Sequence, residues 1–254
     1  MGLELDVLER AYLFSKLMCN LYAKTRLDTV TDTARLLGVS VQELSRLIHL
    51  KEIPSGRRIR ELLSRLEGVD SDSVLVEAMR EAPLPFPHLN NLTSRYPLSL
   101  YCFLYKAIDA LRGRTFSMVL TVEGSGLILG TLISLTMGKR LIYGVKGVKM
   151  VGGQVVSAEP GPAYAVKTSK RIISFPSRVD LRGERVVIVD GVVWTGSTIH
   201  SMLRYVERKS GVVDSVLIMA ATRRALSRLG KLVEAPVYPL LLLDGSTSRI
   251  ESRL

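Results

Sequence analysis

The residues best equipped for chemistry gather in one stretch of this 254-residue chain, running from Asp190 through Gly191, Trp194, Thr195, Gly196 and Ser197 to Thr198. The apolar run ahead of it, Val186 to Val189, reads as a buried strand, and Ile199 onward reads as a helix. A strand over Arg185–Val189 would deliver the Asp190 carboxylate to the carboxyl edge of a sheet, where open α/β folds bind ligands. Thr195 to Thr198 would open the helix. Unpaired N–H groups and the positive dipole end suit a phosphate there, two hydroxyls add donors, and Gly196 lets the backbone approach closely. The same residues also read as an ordinary capped helix after a strand.

These groups need a sheet to hold them, and the second half of the chain supplies one. From residue 116 short β-rich runs alternate with helical ones: "FSMVLTV", "RLIYGVKGV", "RIISF", "RVVIVDG", "DSVLIMAATR" and "PVYPLLLLD". Buried apolar strands separated by helices predict a mostly parallel α/β sheet. A Gly-rich segment, 149–170, reads as a loop. The first 80 residues are all-helical in pattern, with three helical runs. The stretch 81–97, with four prolines and adjacent Asn90 and Asn91, reads as a linker. The expected division is therefore 1–80, 81–97 and 98–254.

Composition narrows the class. Apolar residues make up 47% of the chain, enough for a substantial core, yet no run of about 18 apolar residues predicts a membrane span. The N-terminus carries acids where a secretion signal needs bases, so a cytoplasmic location is expected. Cys19 and Cys102 lie far apart without metal-ligand spacing; they read as separate buried thiols, and no metal site is expected. Two glutamines and three asparagines point to a heat-adapted source. The net charge of +11 lies wholly beyond residue 80, since residues 1–80 hold 12 bases and 12 acids. Such an excess fits an anionic partner or a solvated surface.

Residues 186–198 resemble the phosphoribosyl pyrophosphate (PRPP) motif of type I phosphoribosyltransferases: an apolar strand, two acids, two mostly apolar residues and a Thr/Gly-rich phosphate loop. Asp190 matches the first acid and Thr195–Thr198 most of the loop. Gly191 departs at the second acid and Trp194 where a threonine is usual. "VLTVEGSGLILG" is similar to the family's first strand and pyrophosphate loop, with Glu123, Gly124, Ser125 and Gly126 as the loop. Lys146 and Lys149 fit the basic run that follows the next strand. The segment 149–170 falls where the family has its catalytic hood. The resemblance implies a phosphoribosyltransferase-like α/β domain that binds PRPP or a nucleotide, with Mg²⁺ accompanying PRPP. It also implies that an acid holding the ribose near the reacting carbon is missing at 191.

Within the first 80 residues, "TDTARLLGVSVQELSRLIHL" fits a helix-turn-helix pattern, with Ala34, Leu37, Val39, Leu44 and Leu47 buried and Gly38 at the turn. Ser40 would cap a second helix whose outer side shows Gln42, Arg46 and His49, with Lys51, Arg57 and Arg58 beyond it. Residues 44–60 hold five bases and one acid. The whole chain then resembles archaeal regulators that join such a domain to a phosphoribosyltransferase-like domain. The leading expectation is a homodimeric regulator that binds duplex DNA and senses PRPP or a nucleotide without turnover. The alternative is an active phosphoribosyltransferase, orotate- or purine-type, with an appended helical domain. An RNA-linked regulator is the third reading.

Overall fold

A computed structural model describes residues 6–80, 92, 94–146, 156–158, 173–176 and 178–243. The chain divides into two compact units, Met1–Asp109 and Ala110–Leu254.

The first unit is helical: α1 (Val7–Leu27), α2 (Val30–Leu37), α3 (Val41–Ile48), α4 (Gly56–Arg65), α5 (Ser71–Arg80) and most of α6 (Ser99–Leu111). Three helices begin on hydroxyl caps. Thr29 accepts from the Asp32 N–H at 3.1 Å, Ser40 from Glu43 at 3.0 Å and Ser55 from Arg58 at 3.3 Å. Each cap contributes about 1 kcal/mol. Gly38, at φ 59°, ends α2 in the left-handed conformation that glycine adopts at least cost. Leu17 and Leu21 of α1 pack with Ala34, Leu37, Leu44, Leu47, Ile59 and Leu62 in one core. Helix α5 was not anticipated.

Cys19 and Cys102, expected as separate thiols, instead form a disulfide between α1 and α6, whose Cα atoms there lie 4.6 Å apart. The two helices also meet through edge-on ring pairs, Tyr12 with Tyr105 and Phe14 with Tyr101. Their neighbourhood is a product of tertiary packing, which an 83-residue separation hides from the sequence.

The second unit is built on a sheet ordered β3-β4-β2-β1-β5-β6-β7. Its strands are β1 (Met118–Val122), β2 (Arg140–Lys146), β3 (Val156–Ala158), β4 (Ile173–Phe175), β5 (Arg185–Val193), β6 (Val212–Ala221) and β7 (Val237–Pro239). β2, β1, β5, β6 and β7 pair in parallel, while β3 and β4 join antiparallel at one edge. Helices α7 (Ser125–Met137), α8 (Ser197–Arg208) and α9 (Arg223–Leu229) complete the unit. Strand alternation sorts the residues between two faces. Leu120, Val186, Ile188, Val216 and Ile218 pack with Ile199, Met202 and Tyr205 of α8. Thr121, on the other face, lies against Gly126 and Gly130 of α7. The α/β expectation, a mostly parallel sheet flanked by helices, holds.

Three details differ from expectation. β5 does not stop at Val189: it pairs with β6 through Asp190–Ile218, Val192–Ala220 and Val193–Ala221. The reason is β6, a long buried strand that offers a ladder beyond the point where β1 ends. Part of the expected 149–170 loop is strand β3. The "ATRRALSRLG" stretch holds α9, started by Thr222 accepting from the Ala225 N–H at 3.2 Å, a cap-and-helix signal hidden by the apolar strand before it.

Candidate active site

β1 pairs with β5 only as far as Leu120–Ile188, and past that point the start of α7 closes against the β5 edge. A β-carbon on Gly126 would stand 2.8 Å from Thr121 Oγ1, 3.1 Å from the Asp190 Cα and 3.2 Å from the Gly191 N. Only glycine permits so close a seat, and it brings the 123–126 loop against Asp190. Thr121 was not singled out in the sequence; the Gly126–Gly130 spacing, with both glycines on one side of a helix, was its signal.

Gly191 points to the α7 face, opposite Asp190. A β-carbon there would stand 2.6 Å from Ser125 Cβ and 3.1 Å from the Gly126 N, and would overlap Ser125 Oγ outright. The space that a second acid would need is filled by a serine.

Asp190 itself is half-buried, with its Oδ1 accepting the Gly191 N–H at 2.8 Å. Loss of water around the carboxyl pushes its pKa up to about 6; the Gly191 N–H and the charge of Lys146 act against that rise. Lys146 lies at the end of β2, and its Nζ stands 3.6 Å from where a β-carbon on Gly124 would be. One ammonium thus serves both the 123–126 loop and Asp190. The Glu123 carboxylate accepts the Lys146 backbone N–H at 2.6 Å, and the Glu123 N–H donates to the Gly144 carbonyl at 2.8 Å. Glu123 therefore fastens β1 to β2. Lys149 lies outside the described residues.

The second loop is short and hydroxyl-rich. Gly196, at φ 80°, precedes α8, and its own side contributes no cap. The Thr195 hydroxyl donates to Ser197 Oγ at 3.2 Å and accepts the Ser197 N–H at 3.4 Å. Thr195 is exposed, Ser197, Thr198 and Trp194 are half-buried, and Ile199 below them is anchored in the core. A β-carbon on Gly196 would come 2.7 Å from Leu229 Cδ2, so α9 fixes this turn from beneath. The arrangement offers one carboxylate, one ammonium and the amides and hydroxyls of two helix starts. That set suits a sugar bearing phosphates at both ends. Among the described residues no group of three His, Cys, Asp or Glu could hold a metal ion alone.

A mostly parallel sheet flanked by helices, with a carboxylate and two helix starts at its carboxyl edge, defines the open α/β class that binds ligands at that edge. The chain belongs to the phosphoribosyl transferase domain family, whose model matches residues 103–232. The adenine phosphoribosyltransferase of Thermoanaerobacter sp. (strain X514) is 29% identical over 111 residues, covering 44% of this chain and 61% of that protein. The hypoxanthine/guanine phosphoribosyltransferase of Methanopyrus kandleri is 28% identical, covering 59% of this chain and 77% of its own. The chain thus spans about three fifths of the length of the first of these relatives. Among solved structures, adenine phosphoribosyltransferase from Trypanosoma brucei in complex with AMP, pyrophosphate and ribose-5-phosphate superposes with a TM-score of 0.55 at 16% identity, covering 68% of this chain and 82% of that one. The Thermoanaerobacter pseudethanolicus enzyme gives 0.53 at 22%, covering 61% and 86%. These likenesses fix the fold.

The leading expectation is corrected by these findings. Relatives named as adenine phosphoribosyltransferases point away from transcription regulation, and duplex DNA is withdrawn as a partner. The structure supplies a physical reason. Gln42, Arg46, His49, Lys51 and Arg57 are exposed, but Arg46 pairs with Glu52 at 3.1 Å. Arg58 is held between Glu43 at 2.9 Å and Glu61 at 2.8 Å, which raises its pKa. Neighbouring acids thus engage two of the cations, Arg46 and Arg58, in the basic run that suggested phosphate contacts. Among the described residues no helix is long and apolar enough to cross a membrane.

Proposed function

We propose that this protein is a purine-type phosphoribosyltransferase that transfers the ribosyl 5-phosphate of PRPP to a base, adenine being the first candidate. Its N-terminal segment is an appended helical domain in which α2, Gly38 and α3 form a helix-turn-helix packing unit. The observation that carries the reading is the junction of Asp190, Lys146 and the Gly124–Gly126 turn at the carboxyl edge of a family-typical sheet. Relatives named as adenine phosphoribosyltransferases support the choice of base.

In this reading the Thr195–Thr198 turn takes the 5-phosphate through backbone N–H groups and hydroxyls. The Gly124–Gly126 turn and Lys146 take the pyrophosphate. Asp190 accepts a ribose hydroxyl, and the Ser125 hydroxyl offers a second polar contact where an acid would have stood. Trp194 flanks the phosphate turn. Mg²⁺ would arrive with PRPP, ligated chiefly by pyrophosphate oxygens, since Mg²⁺ keeps to substrate phosphates with few carboxylates. As positive charge develops on the sugar carbon, the Asp190 carboxylate is the group placed to stabilise it.

A panel of adenine, hypoxanthine, guanine and orotate, each offered with PRPP and Mg²⁺, tests the reading through pyrophosphate release. Release with adenine above the other bases is the expected result. Release with orotate alone would overturn the purine assignment, and release with none would overturn the transferase.

A further inference from the structure

A second charged concavity lies at the other edge of the same sheet. Leu181 and Glu184 lead into the amino end of β5, and Lys209 and Ser210 close the carboxyl end of α8. Between them is a shallow, open depression of about 340 Å³ lined by Arg178, Asp180, Arg182, Arg208, Lys209 and Ser210. Asp190 lies five residues along β5 from this edge, roughly 17 Å, so the two sites are separate.

Four cations face one acid here, and that acid is already taken. Asp180 Oδ2 accepts from Arg182 Nη2 at 2.6 Å and from Nε at 2.9 Å, and its Oδ1 accepts the Arg182 N–H at 3.0 Å. The same contacts hold the Asp180 carboxyl below its ordinary pKa. The other acids close in sequence do not line the depression: Glu184 is bound by Ser117 and Arg140, and Glu207 stands outside it. Among the described residues the side chains of Arg178 and Arg208 have no hydrogen bond or ion pair. Favourable charge at the end of α8 accounts for Arg208 and Lys209, because cations stabilise a helix carboxyl terminus. It does not account for Arg178, which comes from a different segment and turns to the same depression.

We propose that this depression binds a small multivalent phosphate anion, with Arg178 and Arg208 as its main holders. Guanidinium forks match phosphate oxygens in pairs, and Ser210 adds a hydroxyl. The lining offers Val179 as its apolar element and no ring on which a base could stack, so the ligand is recognised by charge. Inorganic phosphate and pyrophosphate share that chemistry. This site stands independently of the transferase reading.

Titrating the full chain with inorganic pyrophosphate at 0.15 M salt, while following the amide signals of Ser210 and Gly211, tests it. We expect saturable shifts, tighter for pyrophosphate than for phosphate. The variant Arg178→Ala/Arg208→Ala should bind at least about tenfold more weakly while remaining folded, its thermal midpoint lowered by no more than the few degrees that losing one cation at the end of α8 costs. Signals of Gly196 and Ser197 report the other crevice separately. Shifts reproduced by sodium chloride at equal ionic strength would overturn the site, as would equal affinity in the double variant or signals that stay still.

Discussion

Ser125 and Gly191 share one space: a side chain at position 191 cannot be accommodated while Ser125 keeps its place, since its first carbon would lie 2.6 Å from Ser125 Cβ. The absence of a second acid is therefore a packing property of two residues on different elements, α7 and β5. Gly191→Ala should destabilise the protein by about 1–3 kcal/mol, the usual cost of overpacking. In a Ser125→Gly background the same change should cost less than about 1 kcal/mol. Urea unfolding of the four proteins gives the coupling directly; additive costs would show that the two side chains do not compete.

Asp190 sets up a stability trade. Its folded-state pKa of about 6 lies above its ordinary value of 3.8. The folded state therefore holds this proton more tightly, and the stability so gained is full below about pH 4 and lost as pH rises toward 6. At neutral pH the half-buried carboxylate costs at most about 3 kcal/mol, less as solvent screens it. Asp190→Asn should raise stability at pH 7.5 and leave it nearly unchanged at pH 4. A variant that is equally or less stable at both would refute the burial of this charge.

The same titration should mark ligand binding. Only the ionised Asp190 accepts from a hydroxyl without donating, so the affinity advantage of the wild type over Asp190→Asn for ribose 5-phosphate should shrink as pH falls below about 6. Taking the ratio cancels the titration of the ligand's own phosphate. A ratio that stays flat from pH 8 to 5 would remove Asp190 from the sugar site.

Gly196 sits at φ 80° above Leu229, in the turn proposed to take the 5-phosphate. Gly196→Ala places a β-carbon in a left-handed conformation that costs about 1–2 kcal/mol, with the Leu229 clash added. We expect lower stability in urea and weaker phosphate binding together. Weaker binding at unchanged stability would mean that the turn is not held by α9.

The Cys19–Cys102 bond closes 83 residues of chain. Loop-closure entropy assigns such a link about 4.5 kcal/mol at most. Cys19→Ala/Cys102→Ala should lower the calorimetric transition of the helical unit, and so should unfolding with a reductant present. Wild-type protein that unfolds identically with and without reductant would show that the bond does not form.

The sequence made much of this architecture legible because the signals were local. Val186–Val189 announced a buried strand, Ser40 announced a cap, and Gly38 announced a turn, each within a few residues. What stayed hidden depended on partners far along the chain. The continuation of β5 past Asp190 needs β6, 28 residues away in register. The Ser125 side chain in the space beside Gly191 needs α7 docked on the sheet. The pairing of Arg58 with Glu43 takes one cation out of the apparent basic face, and only the folded helices α3 and α4 bring those two charges together.

The most direct measurement is AMP formation from labelled adenine and PRPP with Mg²⁺, in wild type and in Asp190→Asn. The transferase reading predicts product from the wild type and a loss of about 10²–10³-fold in the variant, the scale of removing one group that stabilises charge in the transition state. No product from folded wild-type protein, or equal rates in the two, would contradict it.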